Sequence, residues 1–417
     1  MTATTTHRFQ PVLLGTDINA YGMARSFHEE YGVVSWALGS FPLTPTRDSK
    51  IVQVSIDSEF ASDDGFVRVL SELGRRERAA DPNRSLLLVP CGDAYSALLS
   101  AHRETLAEWF DFVMIDDELL ASLVDKASFY RLCEQHGLDH PVTRTYSRQQ
   151  FVSGTPIELP SEFPIALKPA DSVAYLDCQF PGRKKAYVLA NRQQLDETVR
   201  RIFSAGYPGE LILQDFVPGD DSQMRVLNAY VNRDGTVAMM SLGNPLLEDY
   251  APASIGNYVA IVSESNDAVY AQAKRFLEAI GYVGFVNFDM KLDPRDGRYR
   301  FFELNPRQGR SSFFTTLAGL NLARWLVRDV VEQEYGETVY GREHALWVGV
   351  PRPILKRYAA EGQLKAEALQ LIREGRWGST VFYRRDLGLR RRLNMWKLWL
   401  SYYPDYRRNF GNRELDL

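Results

Sequence analysis

The first 115 residues alternate short apolar runs with stretches of helical periodicity. "PVLLG" (11–15) precedes "GMARSFHEEYG", and "VVSWAL" (33–38) follows it. The amphipathic "GFVRVLSELGRRERA" leads to "SLLLVP" (85–90), then through "CGDAY" to a further helix, and "FVMI" (112–115) closes the run. Strands alternating with helices predict a doubly wound parallel sheet covered on both faces. Ligands of such sheets bind where strand C-ends meet loops, which singles out "GTDINAYG" (15–22) and "PCGDAY" (90–95). Each reads equally well as a capped turn.

A boundary is expected near Asp125. "DKASFYRLCEQHG" reads as a helix ending at Gly137, "FPIALKP" (163–169) as a strand, and "NRQQLDETVRRIFSAGY" as an Asn-capped helix. After Tyr207 the texture changes to strands at short spacing, from "ELILQDFVPG" to "YRFFELN", which predicts an antiparallel sheet. "GLNLARWLVRDVVEQEYG" reads as a closing helix. The expected divisions are 1–124, 125–206, 207–345 and 346–417, α/β at the start and α+β in the C-terminal part. In the last of these, "LGLRRRLNMWKLWLSYY" sets Leu389, Leu393, Trp396 and Leu400 on one helical stripe among arginines. That stripe fits a terminal helix docked on the body, or a surface helix approaching an anionic membrane or substrate.

Composition adds bounds. A net charge of −4 carries no nucleic-acid signature, and 24% charged with 45% apolar residues is ordinary for a soluble globular protein. "MTATTTHRFQP" has no apolar core, no run is long enough to span a bilayer, and Cys91, Cys133 and Cys178 are far apart. These features predict a cytoplasmic protein with reduced thiols.

The chemistry concentrates in one hairpin. In "GFVNFDMKL", alternation sends Val286, Phe288, Met290 and Leu292 to one face and Asn287, Asp289 and Lys291 to the other. In "YRFFELN", Phe301, Glu303 and Asn305 share a face. A three-residue loop, Arg295 to Gly297, pairs Asp289 with Glu303 and Asn287 with Asn305, whereas a four-residue loop sets Asp289 opposite Phe302. In the first register two facing carboxylates call for a cation, and oxygen-only donors suit Mg²⁺ or Mn²⁺ with substrate phosphates completing the shell. Pro306 ends the ladder and leaves Arg307 to reach a phosphate. Lys168 ends the strand "IALKP", Lys126 opens a helix, and "LILQDFVPGDD" ends a strand at a turn followed by paired aspartates.

That order of features resembles the ATP-grasp superfamily of carboxylate–amine ligases. The resemblance implies an ATP-grasp fold in which Lys126 and Lys168 contact the nucleotide. Gln214, Asp215, Phe216 and Val217 would offer the adenine hinge, and Asp220 or Asp221 the ribose partner. It further implies Asp289, Glu303 and Asn305 as metal ligands and Arg307 as the catalytic arginine, with Arg225 a second candidate. Lys184, beside Gly182, Arg183 and Lys185, is the candidate for closing over the phosphates, although this loop lacks the usual glycines and Gln214-Asp215 stands where a glutamate is common. "LLGTDINAYGMARSFHEEYG", "LKPADSVAYL", "QDFVPGDDSQMRVLNAYV", "NPLLEDYAPASIGNY", "GFVNFDMKLDPRDG", "RQGRSSFFTTLAGLNLAR" and "TVFY" narrow the resemblance to the bacterial D-aspartate ligases. It implies ATP-dependent joining of the D-aspartate β-carboxylate to a side-chain amine of the peptidoglycan precursor. Asp17, Asn19, Tyr21, Arg310, Ser311 and Ser312 are then candidates for holding the amino acid. The nearest rival is an ATP-grasp ligase for a different amino acid or small carboxylate, and other readings fit less well. "GTDINAYG" lacks the dinucleotide fingerprint G-x-G-x-x-G, and a non-catalytic scaffold would have no need of the Asp289, Glu303, Asn305 and Arg307 set.

Overall fold

The computed structural model describes residues 8–171, 174–175, 177–250, 254 and 256–410. It divides into two compact units. One comprises residues 8–120, 225–288 and 305–410; the other comprises 121–224 and 289–304.

In the first unit the apolar runs form a parallel sheet of β1 (Phe9–Leu14), β2 (Ser35–Gly39), β3 (Val52–Ile56) and β4 (Ser85–Pro90), in the order β3-β2-β1-β4. Its helices start where the sequence placed caps. Asp17 accepts from the amides of Asn19 and Ala20 at the head of Ile18–Tyr31, and Gly32 ends that helix in the left-handed region at φ 69°. Asp63–Ala80 is amphipathic and capped by Ser62. The core of this sheet is continuous with Tyr230, Met239, Phe285, Trp325, Met395 and Trp399. Residues of the expected large lobe and C-terminal extension therefore share one hydrophobic interior with the N-terminal sheet.

The later strands are β9 (Met224–Val231), β10 (Val237–Glu248), β11 (Tyr258–Glu264), β12 (Gly284–Asp293), β13 (Arg298–Asn305), β14 (Leu346–Val348) and β15 (Trp377–Gly378). They are ordered β13-β12-β9-β10-β11-β14-β15, with the short strand Val339–Tyr340 beside β10. The expected closing helix is interrupted: Leu322–Val327 is α-helical and Arg328–Glu332 continues as a π turn. There Asp329, fully buried, accepts from the Tyr230 hydroxyl at 2.8 Å and from Arg233. A buried carboxylate so engaged is kept hydrogen-bonded where an ordinary helical turn would carry an apolar side chain.

The second unit holds an antiparallel sheet of β5 (Thr143–Ser147), β6 (Ile165–Pro169), β7 (Tyr187–Leu189) and β8 (Glu210–Asp215), ordered β5-β8-β6-β7. Asn191 caps the helix Arg192–Ser204, whose Leu195, Val199, Ile202 and Phe203 pack with Ile165, Leu167, Leu211 and Leu213. The helix Lys126–His136 starts at Asp125 and stops at Gly137, φ 66°.

Candidate functional site

The division between units runs through the hairpin, with Asp289 and Glu303 in the second unit and Asn305 in the first. On β12 the expected alternation holds for Val286, Phe288 and Met290, which are fully buried. On β13 it does not hold. Phe301 and Leu304 are both buried while Glu303 between them is exposed. Four residues, Pro294 to Gly297, separate the strand ends, with Gly297 at φ 73° donating its amide to the Asp293 carbonyl at 2.8 Å. The side chains of Asn287 and Asn305 nonetheless meet at 3.3 Å, the contact given by the shorter-loop register. The lost alternation at Phe301–Leu304 lies between these two ends of the strand.

In the second unit the nucleotide candidates gather around a residue that sequence reasoning missed, Tyr130. Its hydroxyl accepts from Lys168 Nζ at 3.0 Å and donates to the Phe302 carbonyl at 2.8 Å; Gln214 Oε1 lies 3.5 Å away. The charges of Lys126 and Glu303 are also felt at this hydroxyl, in opposite senses. Burial lowers the Lys168 pKa from 10.5 to about 8, and Glu303 opposes the shift. Tyr130 reads in the sequence as one more apolar position on an amphipathic helix, and nothing in that pattern marks the hydroxyl.

The hinge after β8 is held by basic side chains. Asp215 receives a two-pronged contact from Arg295, and Lys291 Nζ donates to the carbonyls of Val217 (3.1 Å) and Gly219 (2.7 Å) beside the Phe216 ring. Gln214 Nε2 donates to Thr143 Oγ1 at 2.9 Å. Asp220 accepts from the Ser222 amide and hydroxyl, which lowers its pKa. Asp221 opens a short 3-10 turn, and its side chain lies outside the described residues. Lys184 donates its amide to the Tyr187 hydroxyl at 2.9 Å, and Arg183 lies over Tyr175; residues 172, 173 and 176 of that loop are outside the described set.

In the first unit both expected loops meet the segment that follows β13. Asn19 Nδ2 donates to the Cys91 carbonyl (3.1 Å) and the Gln308 carbonyl (3.2 Å), and Gln308 Nε2 lies 3.3 Å from Cys91 Sγ. Arg307 pairs with Asp93 at 2.6 Å and lies 3.4 Å from Asn305 Oδ1. Asn228 Oδ1 accepts from the Gly309 amide and faces Asn287 Nδ2. A Cβ at Gly309 would come within 3.0 Å of the Asn287 amide, so this approach needs glycine. Asn19 Oδ1 and Gln308 Oε1 are buried without a hydrogen-bond partner among the described residues. Such atoms are costly unless a ligand supplies donors. Asp17 is raised in pKa by burial, opposed by its two amide donors and by Arg310 and Arg307. Arg310, half-buried, has no ion-pair partner among the described residues. Ser311 and Ser312 are buried beside it in sequence.

Two candidates are occupied structurally. Tyr21 is fully buried; its hydroxyl donates to Asp386 at 2.8 Å and its ring lies under Arg391 at 4.1 Å. Arg225 is buried, pairs with Glu264 at 2.9 Å and donates to Asn244 at 3.0 Å. Asp289, half-buried, and Glu303, exposed, carry hard oxygen donors of the kind Mg²⁺ takes. Among the described residues there is no cluster of three or more His, Cys, Asp or Glu able to cage an ion.

Residues 251–334 match the family model "Carbamoyl-phosphate synthase L chain, ATP binding domain". Among solved structures, the L-amino acid ligase of Bacillus licheniformis is 13% identical, with TM-score 0.53 over 78% of this chain and 75% of that one. The biotin carboxylase domain of the 2-oxoglutarate carboxylase of Hydrogenobacter thermophilus, solved with MgADP, ADP and bicarbonate, is 12% identical, with TM-score 0.58 over 82% and 74%. The fold is therefore that of the ATP-grasp enzymes. A D-aspartate ligase of Enterococcus faecium (strain Aus0004) is 49% identical over 412 residues, covering 97% of this chain and 98% of that protein. The chain belongs to the D-aspartate ligase family of ATP-grasp ligases.

Proposed function

We propose that this enzyme uses ATP to activate the β-carboxylate of D-aspartate and joins it to the side-chain amine of the diamino acid, usually lysine, in the peptidoglycan stem peptide. Family membership supports the choice of donor. One observation of the molecule itself carries the nucleotide reading: the Lys168–Tyr130 pair beside Glu303, with Lys126 and Gln214 close by. A depressed ammonium held at a strand end is a phosphate ligand that regains its full charge on binding.

Lys168 and Lys126 then hold phosphate, and the backbone of Gln214 to Val217 receives the adenine. Asp215 has its carboxylate committed to Arg295, so its main chain is what it offers. Asp289, Glu303 and Asn305 would hold Mg²⁺, with Mn²⁺ as an alternative, and the ion supplies charge neutralisation on the phosphoryl group in transfer. Arg307 leaves Asp93 to meet the same charge. The γ-phosphoryl group moves to the carboxylate, giving an acyl phosphate and ADP; the acceptor amine displaces phosphate to form the amide.

The donor's ammonium fits Asp17 with the two orphan acceptors, Asn19 Oδ1 and Gln308 Oε1. Its α-carboxylate fits Arg310, where two parallel N–H donors suit a planar anion. Ser311 and Ser312 complete the loop; Tyr21 and Arg225 support from behind through Asp386 and Glu264. The reaction belongs in the cytoplasm, where ATP and the precursor are present. The test is ADP release with Mg²⁺-ATP, a panel of D- and L-amino acids and a nucleotide-linked muramyl pentapeptide. Release that needs D-aspartate and pentapeptide together supports the proposal; release with another acid in place of D-aspartate refutes it.

A further inference from the structure

The C-terminal helix, Leu389–Asn409, has two apolar faces, and the body covers one of them. The covered face carries Arg391, Met395, Trp399 and Tyr406. Arg391 can be buried there because its Nε lies 2.8 Å from Asp386 Oδ2, and Tyr406 donates to the Glu248 carbonyl. The other face is the leucine stripe. Leu389 is 80% exposed, Leu393 56%, Leu400 57%, Trp396 47% and Tyr403 40%. Spacings of four and three residues keep these five on one side of the helix.

Along the helix itself the charge flanking the stripe is mainly of one sign, with Asp48 of a neighbouring loop 3.7 Å from Arg390. From Arg384 to Phe410 there are eight lysines and arginines against two carboxylates, in a chain whose net charge is −4. One of those carboxylates, Asp386, is buried against Arg391, and the other, Asp405, lies 3.6 Å from Arg408. Arg390, Arg392, Lys397 and Arg407 stand exposed along the edges.

We propose that this face lies on an anionic lipid surface, with Leu389, Leu393, Trp396 and Leu400 entering the headgroup boundary and the cations pairing with lipid phosphates. Exposed leucines flanked by arginine and lysine are the composition of an interfacial helix, and Trp and Tyr favour that depth. The cations add attraction to an anionic leaflet. A second copy of this chain fits poorly. A seam between two such helices would set cations against cations, whereas paired helices need complementary charge at those flanks. No described helix is long and apolar enough to cross a membrane, which leaves the stripe an in-plane role. This inference rests on the helix alone and stands independently of the ligase reading.

The test is flotation of the full-length protein with vesicles of phosphatidylcholine alone, or with about one-third phosphatidylglycerol. Binding is expected to the anionic vesicles alone, and to weaken at high salt. Leu393→Ser/Leu400→Ser and Arg390→Gln/Lys397→Gln, all at exposed positions, should each lower partitioning roughly tenfold or more while leaving thermal unfolding unchanged. Absence of binding to anionic vesicles, or binding by both variants at the parent's level, overturns the proposal. So does a dimer of the parent chain that the leucine substitutions dissociate, which would assign the stripe to a second copy.

Discussion

Lys168 Nζ donates to the Tyr130 hydroxyl at 3.0 Å, and this is the hydrogen bond that holds a lysine of depressed pKa in place. Below about pH 8 the amine is protonated and ready to meet phosphate; above it, the amine is neutral and binding must first take up a proton. Metal-free ADP should therefore bind progressively more weakly as pH rises through 8, by up to roughly tenfold per unit. Calorimetry in buffers of different ionisation enthalpy should show proton uptake on that limb. Lys168→Arg keeps its charge throughout this range and should lose the slope. A slope unchanged in the variant would mean that another group titrates.

Glu303 is exposed and makes no hydrogen bond among the described residues. Glu303→Gln should leave the unfolding midpoint within about 0.5 kcal/mol of the parent, as for other surface changes. Loss of a metal-bound anionic oxygen should lower ADP formation by roughly a hundredfold or more, an effect of the size seen when one transition-state charge partner is removed. Full turnover in the variant would remove Glu303 from the metal set.

The strands β1, β2, β4, β6 and β8 to β13 were legible because alternation, Gly and Asn caps and short turns agreed with one another, as at Asp17, Gly137 and Asn191, whereas the short strands β3, β5, β7, β14 and β15 carry too little pattern. Lys168 was legible as a charged residue closing an apolar strand. Tyr130 and Gln308 were not, because their roles depend on contacts with residues 38 and 217 positions away. The tail helix shows a different limit. Its leucine stripe is the most apolar face by composition, yet the body covers the face with Arg391, since Asp386 neutralises that charge and Tyr21 stacks on it. A buried ion pair of this kind leaves no mark in a hydrophobic periodicity.

Gln308 is 1% exposed, and its Oε1 lacks a partner among the described residues, so the side chain is arranged at a cost. Gln308→Met removes that orphan oxygen along with the contact to Cys91 and should change stability by no more than about 1 kcal/mol. If the oxygen receives the donor's ammonium, KM for D-aspartate should rise roughly tenfold or more with a smaller change in kcat, since the contact is made in ground and transition states alike. Steady-state kinetics at saturating ATP and pentapeptide decides it. An unchanged KM would leave the amide a structural element of the loop.

Asp386 and Arg391 are both fully buried, and the carboxylate also accepts from the hydroxyls of Tyr21 and Ser49, each at 2.8 Å, and from the Lys50 amide. Three segments of the first unit thus depend on one charge. Asp386→Asn leaves the Arg391 guanidinium buried without its counter-ion and should cost about 3–5 kcal/mol in urea unfolding. The double variant Asp386→Asn/Arg391→Met removes both charges and should recover much of that loss, because an apolar side chain of similar length can fill the space. The single variant should also become sensitive to trypsin between Arg384 and Arg408, where the helix would no longer be pinned. Equal stability of parent and single variant would show that the pair merely balances its own desolvation, and that Met395, Trp399 and Tyr406 hold the helix by packing alone.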